Sequence, residues 1–326
     1  MTRQIFRGCR IALALAGLTA LFAGTAWANA GASKSAPAAR AGAPVVQVTG
    51  TAHREGGLLW VGCGISKKSY MIAAAKAFTE KTGIKIKVEG GGATRGIRDV
   101  AAGKADFGGS CRFVIPGIAS EMGDVLKPVA WDALVVIADK GNPVKNITLD
   151  QVRGVYLGKI TNWKQLGGPN KPIHLFVRRG KISGVGRTIR KLVFGNYNQN
   201  FVATKAFRSS GPLEKAVERD PDAIAMTGIS SARKRNVDIL ALNGKQPTYD
   251  NIRNGKYILY RPLYLVINPD SPKIAEVNRF VQFIYSPEGR RVIRRNGVVP
   301  YMDALQLVMK QVAQDQQARA MGLYRR

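Results

Sequence analysis

The sequence is short of the residues on which most enzymes rely. It has two histidines and three cysteines in 326 residues, and no CxxC pair or HExxH run occurs among them. That leaves no pattern for zinc, haem or a metalloprotease. GxSxG and GxxxxGK[ST] are missing too, as is the third glycine that would turn "GCGISK" into a dinucleotide fingerprint. His53 and His174 lie outside every Gly-rich turn, and His174, in "KPIHLFV", reads as a strand residue. The chain is therefore expected to be no enzyme and to use no metal or cofactor. Acids are also scarce: 21 Asp and Glu stand against 50 Lys and Arg, a net charge of +29.

The first 28 residues have the layout of a secretory signal peptide. Arg3, Arg7 and Arg10 precede the apolar run Ile11 to Ala23, and small residues follow in "AWANA". The run is shorter than the ~20 residues a membrane span needs. Cys9 precedes the run instead of following it, which argues against a lipoprotein. Cleavage is expected after Ala28 or Ala30, with the mature protein in the periplasm or secreted. Removing residues 1–28 takes away three arginines and no acid, leaving +26. Such a charge concentrates anions and favours adhesion to anionic envelopes. Most of these side chains read as a solvated basic surface. No basic stripe interleaved with stacking aromatics is present, so no specific nucleic acid is expected.

Residues 29–56, rich in Ala, Gly, Pro and Ser, read as a flexible leader. From Leu58 onward, strand and helix patterns alternate, as in α/β proteins. "LLWVGCG" is a buried strand, "KSYMIAAAKAFTEKTG" a helix stopped at Gly83, "IKIKVEGGG" an alternating strand, "TRGIRDVAAGKA" a helix and "ADFGGSC" a third strand. Two further strands, "VAWDALVVIAD" and "YILYRPLYLVIN", are separated by about 120 residues with their own α/β pattern. Within that insert, Thr148 and Gln151 form a capping box, "KPIHLFVRR" is a strand, and "GKISGVGRTIRKLVFG" passes through a turn into a helix. "SPKIAEVNRFVQFIYSPEGRRVIRRNG" gives two amphipathic helices before a polar, basic tail. A chain that leaves one lobe and returns to it fits this order: residues 57–135 plus 260–326 form lobe 1, and 136–259 form lobe 2.

Three places repeat one device, a strand entering a Gly-rich turn that opens a helix: "GCGISKKS", "EGGGATRG" and "RRGKISGVGR". Free N–H groups and the positive end of the helix dipole make such turns anion sites. Singly they are ordinary tight connections; brought together, they form an anion cage.

"GGGATRGIRDVAAGKADFGGSCR", "VAWDALVVIADKGNPVKNITLDQVRGVYLGKITNWKQLGG", "RRGKISGVGRTIRKLVFG", "DAIAMTGIS" and "FIYSPEGRRVIRRNGVVP" together resemble the periplasmic phosphate-binding proteins of ABC transporters, over residues 58–302. The resemblance implies a two-lobed type II periplasmic-binding fold, α/β, each lobe a mixed sheet flanked by helices, with an anion in the interlobe cleft. It implies a monomer whose partners are a small anion, phosphate or a related oxyanion, and an ABC permease. The site residues it implies are Ser66 and Lys67 in the first turn, and Thr94 and Arg95 in the second, where Ala93 replaces the family's serine. In the third turn they are Arg179, Ser183, Gly184 and Val185, the last replacing a threonine. The family's aspartate falls on Cys111.

A carboxylate accepts a hydrogen bond from protonated phosphate and repels a fully ionised anion; cysteine is expected to supply no such acceptor. The ligand is accordingly expected to be a more fully ionised or larger anion than phosphate. In this fold the first and third strands are neighbours, and a Cys63–Cys111 disulfide is expected at their ends. The competing expectation is an envelope or extracellular polyanion-binding protein that reuses the fold.

Overall fold

The computed structural model describes residues 56–320. The expected signal peptide at 1–28 and the expected leader at 29–56, up to residue 55, lie outside the described residues. Strand β1 (Leu58–Gly62) opens the fold. It runs into α1, a continuous helical stretch made of Gly64–Ser66, a π-helical turn Lys67–Met71, and Ile72–Thr82. Gly83 ends it at φ 73°, the left-handed conformation that glycine adopts without steric cost. β2 (Ile86–Gly90), α2 (Ala93–Ala101) and β3 (Phe107–Ser110) complete this unit, with β1 parallel to both β2 and β3. The glycines of "ADFGGSC" are explained here. A Cβ at Gly108 would fall 2.3 Å from the Gly96 carbonyl oxygen, and one at Gly96 would fall 2.6 Å from that of Gly109. Helix α2 therefore lies backbone to backbone on the sheet.

β4 (Val125–Asp139) follows, then α3 (Leu149–Tyr156), whose first turn carries the expected Thr148–Gln151 capping box. Next come β5 (His174–Arg178), α4 (Gly184–Phe194), β6 (Lys205–Phe207), α5 (Ser210–Val217) and β7 (Ala223–Gly228). The chain returns through β8 (Tyr260–Ile267), α6 (Ile274–Tyr285) and α7 (Pro287–Arg295). The sheet order is β2-β1-β3-β8-β4-β7-β5-β6.

The 15-residue β4 serves both lobes because it changes partner along its length. Residues up to Ala133 pair antiparallel with β8, and Leu134–Ala138 pair with β7. Its positions from Val129 to Ala138 are all buried, which explains the unbroken apolar run "VVIA". At the crossover, Ala133 faces Tyr260, and the Leu134 N–H bonds to the Leu259 oxygen at 2.8 Å. Beside it, the buried Arg261 guanidinium grips Asp132 at 3.0 and 3.2 Å.

The C-terminal stretch differs from expectation. Instead of a tail it forms helix α8 (Gln306–Ala320). Leu307 is fully buried, and the Gln306 and Lys310 side chains donate to the carbonyls of Arg253 and Asn254. Leu307, with Val308 packed beside it against the core, and two carbonyl contacts tie down the start of this segment.

Asp124, just before β4, has both carboxyl oxygens buried without a hydrogen-bond partner, and burial raises its pKa to about 7. The folded protein then holds this proton to a higher pH than the unfolded chain, whose aspartate titrates near about 3.9, so stability falls as pH rises between these values. Asp124→Asn is expected to remove that decline and raise stability at neutral pH by about 1 kcal/mol, the partial exposure of the group reducing the full linkage. Urea midpoints of both proteins at acidic and neutral pH check this; equal slopes would contradict it.

Candidate functional site

The turn after β1, the turn after β2 and the segment after β3 face the turns after β5 and β6 across the lobes. Together they enclose a cavity of about 430 Å³. Cys63, Gly64, Ala93, Thr94 and Cys111 line it from one side, and Arg178, Arg179, Ser183, Gly184 and Ser210 from the other. Each turn opens a helix. Ser183 caps α4 by accepting the Gly186 N–H at 3.2 Å, and Cys63 caps α1, its Sγ accepting the Ser66 N–H at 3.3 Å. Gly92 and Ser209 begin α2 and α5 without a side-chain cap, which leaves first-turn N–H groups facing the cavity.

The sequence-derived site residues divide into two groups. Thr94, Cys111, Arg179, Ser183, Gly184 and Val185 line the cavity. Ser66, Lys67 and Arg95 do not. Ser66 is fully buried behind Cys63, its Oγ 3.1 Å from Sγ. Lys67, in the π-helical turn, donates to the Val88 carbonyl at 3.2 Å. Arg95 is exposed and held by Glu89 and Asp99. Lys68 takes the cavity position expected of Lys67: its Nζ reaches Ser231 Oγ at 2.9 Å and Glu214 at 3.4 Å.

Sequence reasoning missed a fourth turn, "FRSSGPLEK", which repeats the strand–Ser/Gly–helix device and brings Arg208, Ser209, Ser210 and Gly211 to the cavity. Arg178 was missed beside Arg179. It is half-buried and donates to Ser210 Oγ at 3.1 Å and to the Phe207 carbonyl at 3.2 Å. Arg235 also lines the cavity. Glu214 lies beneath these cations, fully buried, and accepts bonds from Thr227, Ser231, Lys68 and Arg235. Its charge is spent there, and the cavity is left cationic.

The expected disulfide is not formed: Cys63 and Cys111 are free, buried thiols at the cavity floor. The lateral fit of β1 and β3 is real, with Cys63 N–H bonded to the Gly109 oxygen at 3.0 Å, but the sulfurs are unbridged. The two thiols differ in their electrostatic surroundings. Donation from the Cys63 thiol, aided by the Arg261 and Arg178 guanidiniums, outweighs burial and Asp132 and brings the Cys111 pKa down to about 6. Cys63 moves the other way, pushed well up by burial and by its neighbour. Of the two thiols, Cys111 is therefore the one that ionises first. Titrating the thiolate absorbance should show a step near pH 6 that vanishes in Cys111→Ser and moves upward in Cys63→Ala; a single step above pH 8 would contradict the assignment.

The lobes meet tightly at this floor. A Cβ on Gly184 would fall 2.4 Å from Cys111 Sγ and 2.9 Å from Ala93 Cβ. Arg112, locked on Glu121 by two 2.7 Å bonds, donates across the lobes to the Ile182 carbonyl at 2.9 Å and, within its own lobe, to Thr94 Oγ1 at 3.1 Å. On the far side of Cys111 lies a second cavity of about 790 Å³, between the β3–β4 segment, α4 and α8.

Comparison with known proteins agrees with this geometry. A PBP superfamily domain profile matches residues 23–288. The phosphate-binding protein PstS of Bacillus subtilis is 27% identical over 256 residues, 77% of this chain and 83% of its own length. That of Borreliella burgdorferi is 28% identical over 180 residues, a match that spans 52% of this chain and 63% of the relative. Among solved structures, a phosphate ABC transporter substrate-binding protein from Clostridium perfringens, with bound phosphate, shares 27% identity at a TM-score of 0.68, covering 74% of this chain and 98% of that one. An ABC-type phosphate transport receptor from Vibrio cholerae shares 25% at 0.57, covering 74% and 99%.

Proposed function

The chain belongs to the PBP superfamily, among the phosphate-binding-protein-like periplasmic binding proteins, and from that premise we propose that it is an extracytoplasmic receptor. It captures an oxyanion in the interlobe cleft and delivers it to an ABC permease, without catalysing a reaction. The observation that carries this reading is the cavity wall: four strand-to-helix turns from both lobes, with Lys68, Arg178, Arg179, Arg208 and Arg235 around them and one carboxylate already neutralised.

Specificity is altered relative to phosphate receptors through Cys111. Above about pH 6 its thiolate accepts a proton-bearing oxyanion and repels a fully ionised one; below that pH the thiol is neutral, and the repulsion is lost. Calorimetry with phosphate and sulfate at acidic and neutral pH tests this. The expected result is sulfate binding that strengthens as pH falls through 6, with phosphate changing less. Sulfate excluded at every pH would reject the altered specificity.

One observation favours a second reading, a polyanion-binding envelope protein: the net charge of +29. That reading predicts steeply salt-dependent binding of polyanions and no stoichiometric small anion in the same calorimetry.

A further inference from the structure

The cavity floor carries a pair of groups that oxyanion capture alone does not require. Cys63 directly follows β1, and Cys111 lies two residues beyond the Gly109 that pairs with Gly62. Both are free thiols, 4% and 2% exposed, and both face the cavity. Ser66 Oγ stands 3.1 Å from Cys63 Sγ. The surroundings are otherwise cationic, with Lys68, Arg178 and Arg235 close by and Glu214 neutralised by Lys68 and Arg235.

Two thiols in a positive field make an uncommon combination of preferences. Soft metal cations favour thiolates, but the field of this cavity repels them. A fully ionised oxyanion suits the field and has no use for sulfur. A neutral, thiophilic oxyacid satisfies both. Resting on the oxyanion-receptor reading, we propose that the Cys63–Cys111 pair makes the cleft a reversible covalent receptor for trivalent oxyacids of the heavier group 15 elements, arsenous acid being the simplest.

The exchange balances without an oxidant or a reductant. Two arsenic–oxygen bonds break and two arsenic–sulfur bonds form; each departing hydroxyl leaves as water with a thiol proton, or with a solvent proton where the sulfur is already a thiolate. Arsenic stays trivalent. Its remaining hydroxyl is left to hydrogen-bond with the cage, whose wall carries the hydroxyls of Thr94 and Ser183. The cavities of about 430 Å³ and about 790 Å³ that meet at Cys111 leave room for an added atom.

The test uses the full chain exported to the periplasm of an expression host and purified without reductant. Arsenite is titrated with intact-mass detection and a count of alkylatable thiols, and phosphate is titrated by calorimetry on the same samples. The expected result is one arsenic per chain with loss of both thiols. Cys63→Ser, Cys111→Ser and Cys111→Ala should each weaken retention by about 100-fold as two-point attachment becomes one-point. Single-cysteine variants that hold arsenic as well as the parent, a pair isolated as a disulfide that ignores arsenite, or no arsenic uptake at all would each overturn the proposal. Phosphate binding without arsenite uptake overturns the dithiol site alone; arsenite uptake by a protein that binds no anion overturns the receptor reading beneath it.

Discussion

Replacing Gly184 with alanine is expected to weaken anion binding by about 100-fold, close to 2.7 kcal/mol, while leaving each lobe folded. The new methyl would sit 2.4 Å from Cys111 Sγ and 2.9 Å from Ala93 Cβ, inside the contact distance of real atoms. Both neighbours belong to the opposite lobe, so the steric cost falls on lobe contact and not on either core. Overpacking of this kind costs about 1–3 kcal/mol, and it is relieved by separating the lobes, which also draws Thr94 away from Ile182 and opens the cage. Phosphate calorimetry measures the loss, and small-angle scattering should report a larger radius of gyration. Adding Cys111→Ala removes the shorter contact and should recover part of the compactness. An alanine variant as compact and as tightly binding as the parent would mean that the lobes do not rely on this contact.

The largest stability effect is expected at Arg261. Its guanidinium and the Asp132 carboxylate are both buried, 3.0 Å apart, and Ser230 donates to the other carboxylate oxygen at 2.8 Å. Arg261→Met leaves a buried carboxylate without its countercharge, which typically costs about 3–5 kcal/mol. For a chain of this size that is on the order of 10 °C in melting temperature. The same change removes one of the cations holding Cys111 down, so the thiolate step near pH 6 should move upward as well. Asp132→Asn in the Arg261→Met background should restore much of the stability and, by removing a charge that opposes the thiolate, bring the step part of the way back down. If Arg261→Met unfolds at the parent's urea midpoint, the pair is not what secures β4 to β8.

Local pattern made most of the fold legible. The apolar run of β4, the glycine stop after α1 and the Thr148–Gln151 box all follow from rules that act within a few residues. The helical form of the C-terminal segment was not legible, because its main anchor is one buried leucine, Leu307, at the start of a segment that turns polar and basic after Val312. The site was legible in part. Turns that open helices announce themselves, and within them the family resemblance pointed to Thr94, Arg179, Ser183 and Gly184. The π-helical turn, which sends Lys67 to Val88 and leaves Lys68 in the cavity, depends on one extra residue in a helical loop that composition does not reveal. Cys111 presents the same difficulty in electrostatic form. Its charge is set by Arg261, 150 residues away, and by Cys63, 48 residues away; neither is visible from "GGSCR".

The strand crossover between the lobes has a mechanical consequence. Where β4 passes from one lobe to the other, it is paired with the returning chain, Ala133 against Tyr260 and the Leu134 N–H on the Leu259 oxygen, and the Tyr257 hydroxyl donates to the Leu134 carbonyl at 2.9 Å. A two-stranded ribbon yields readily to torsion and resists being pulled apart. Rocking of the lobes would therefore wind and unwind this ribbon without breaking its bonds, and the amide of Leu134 would be among the slowest to trade its proton with deuterated solvent, although it sits at the point about which everything else turns.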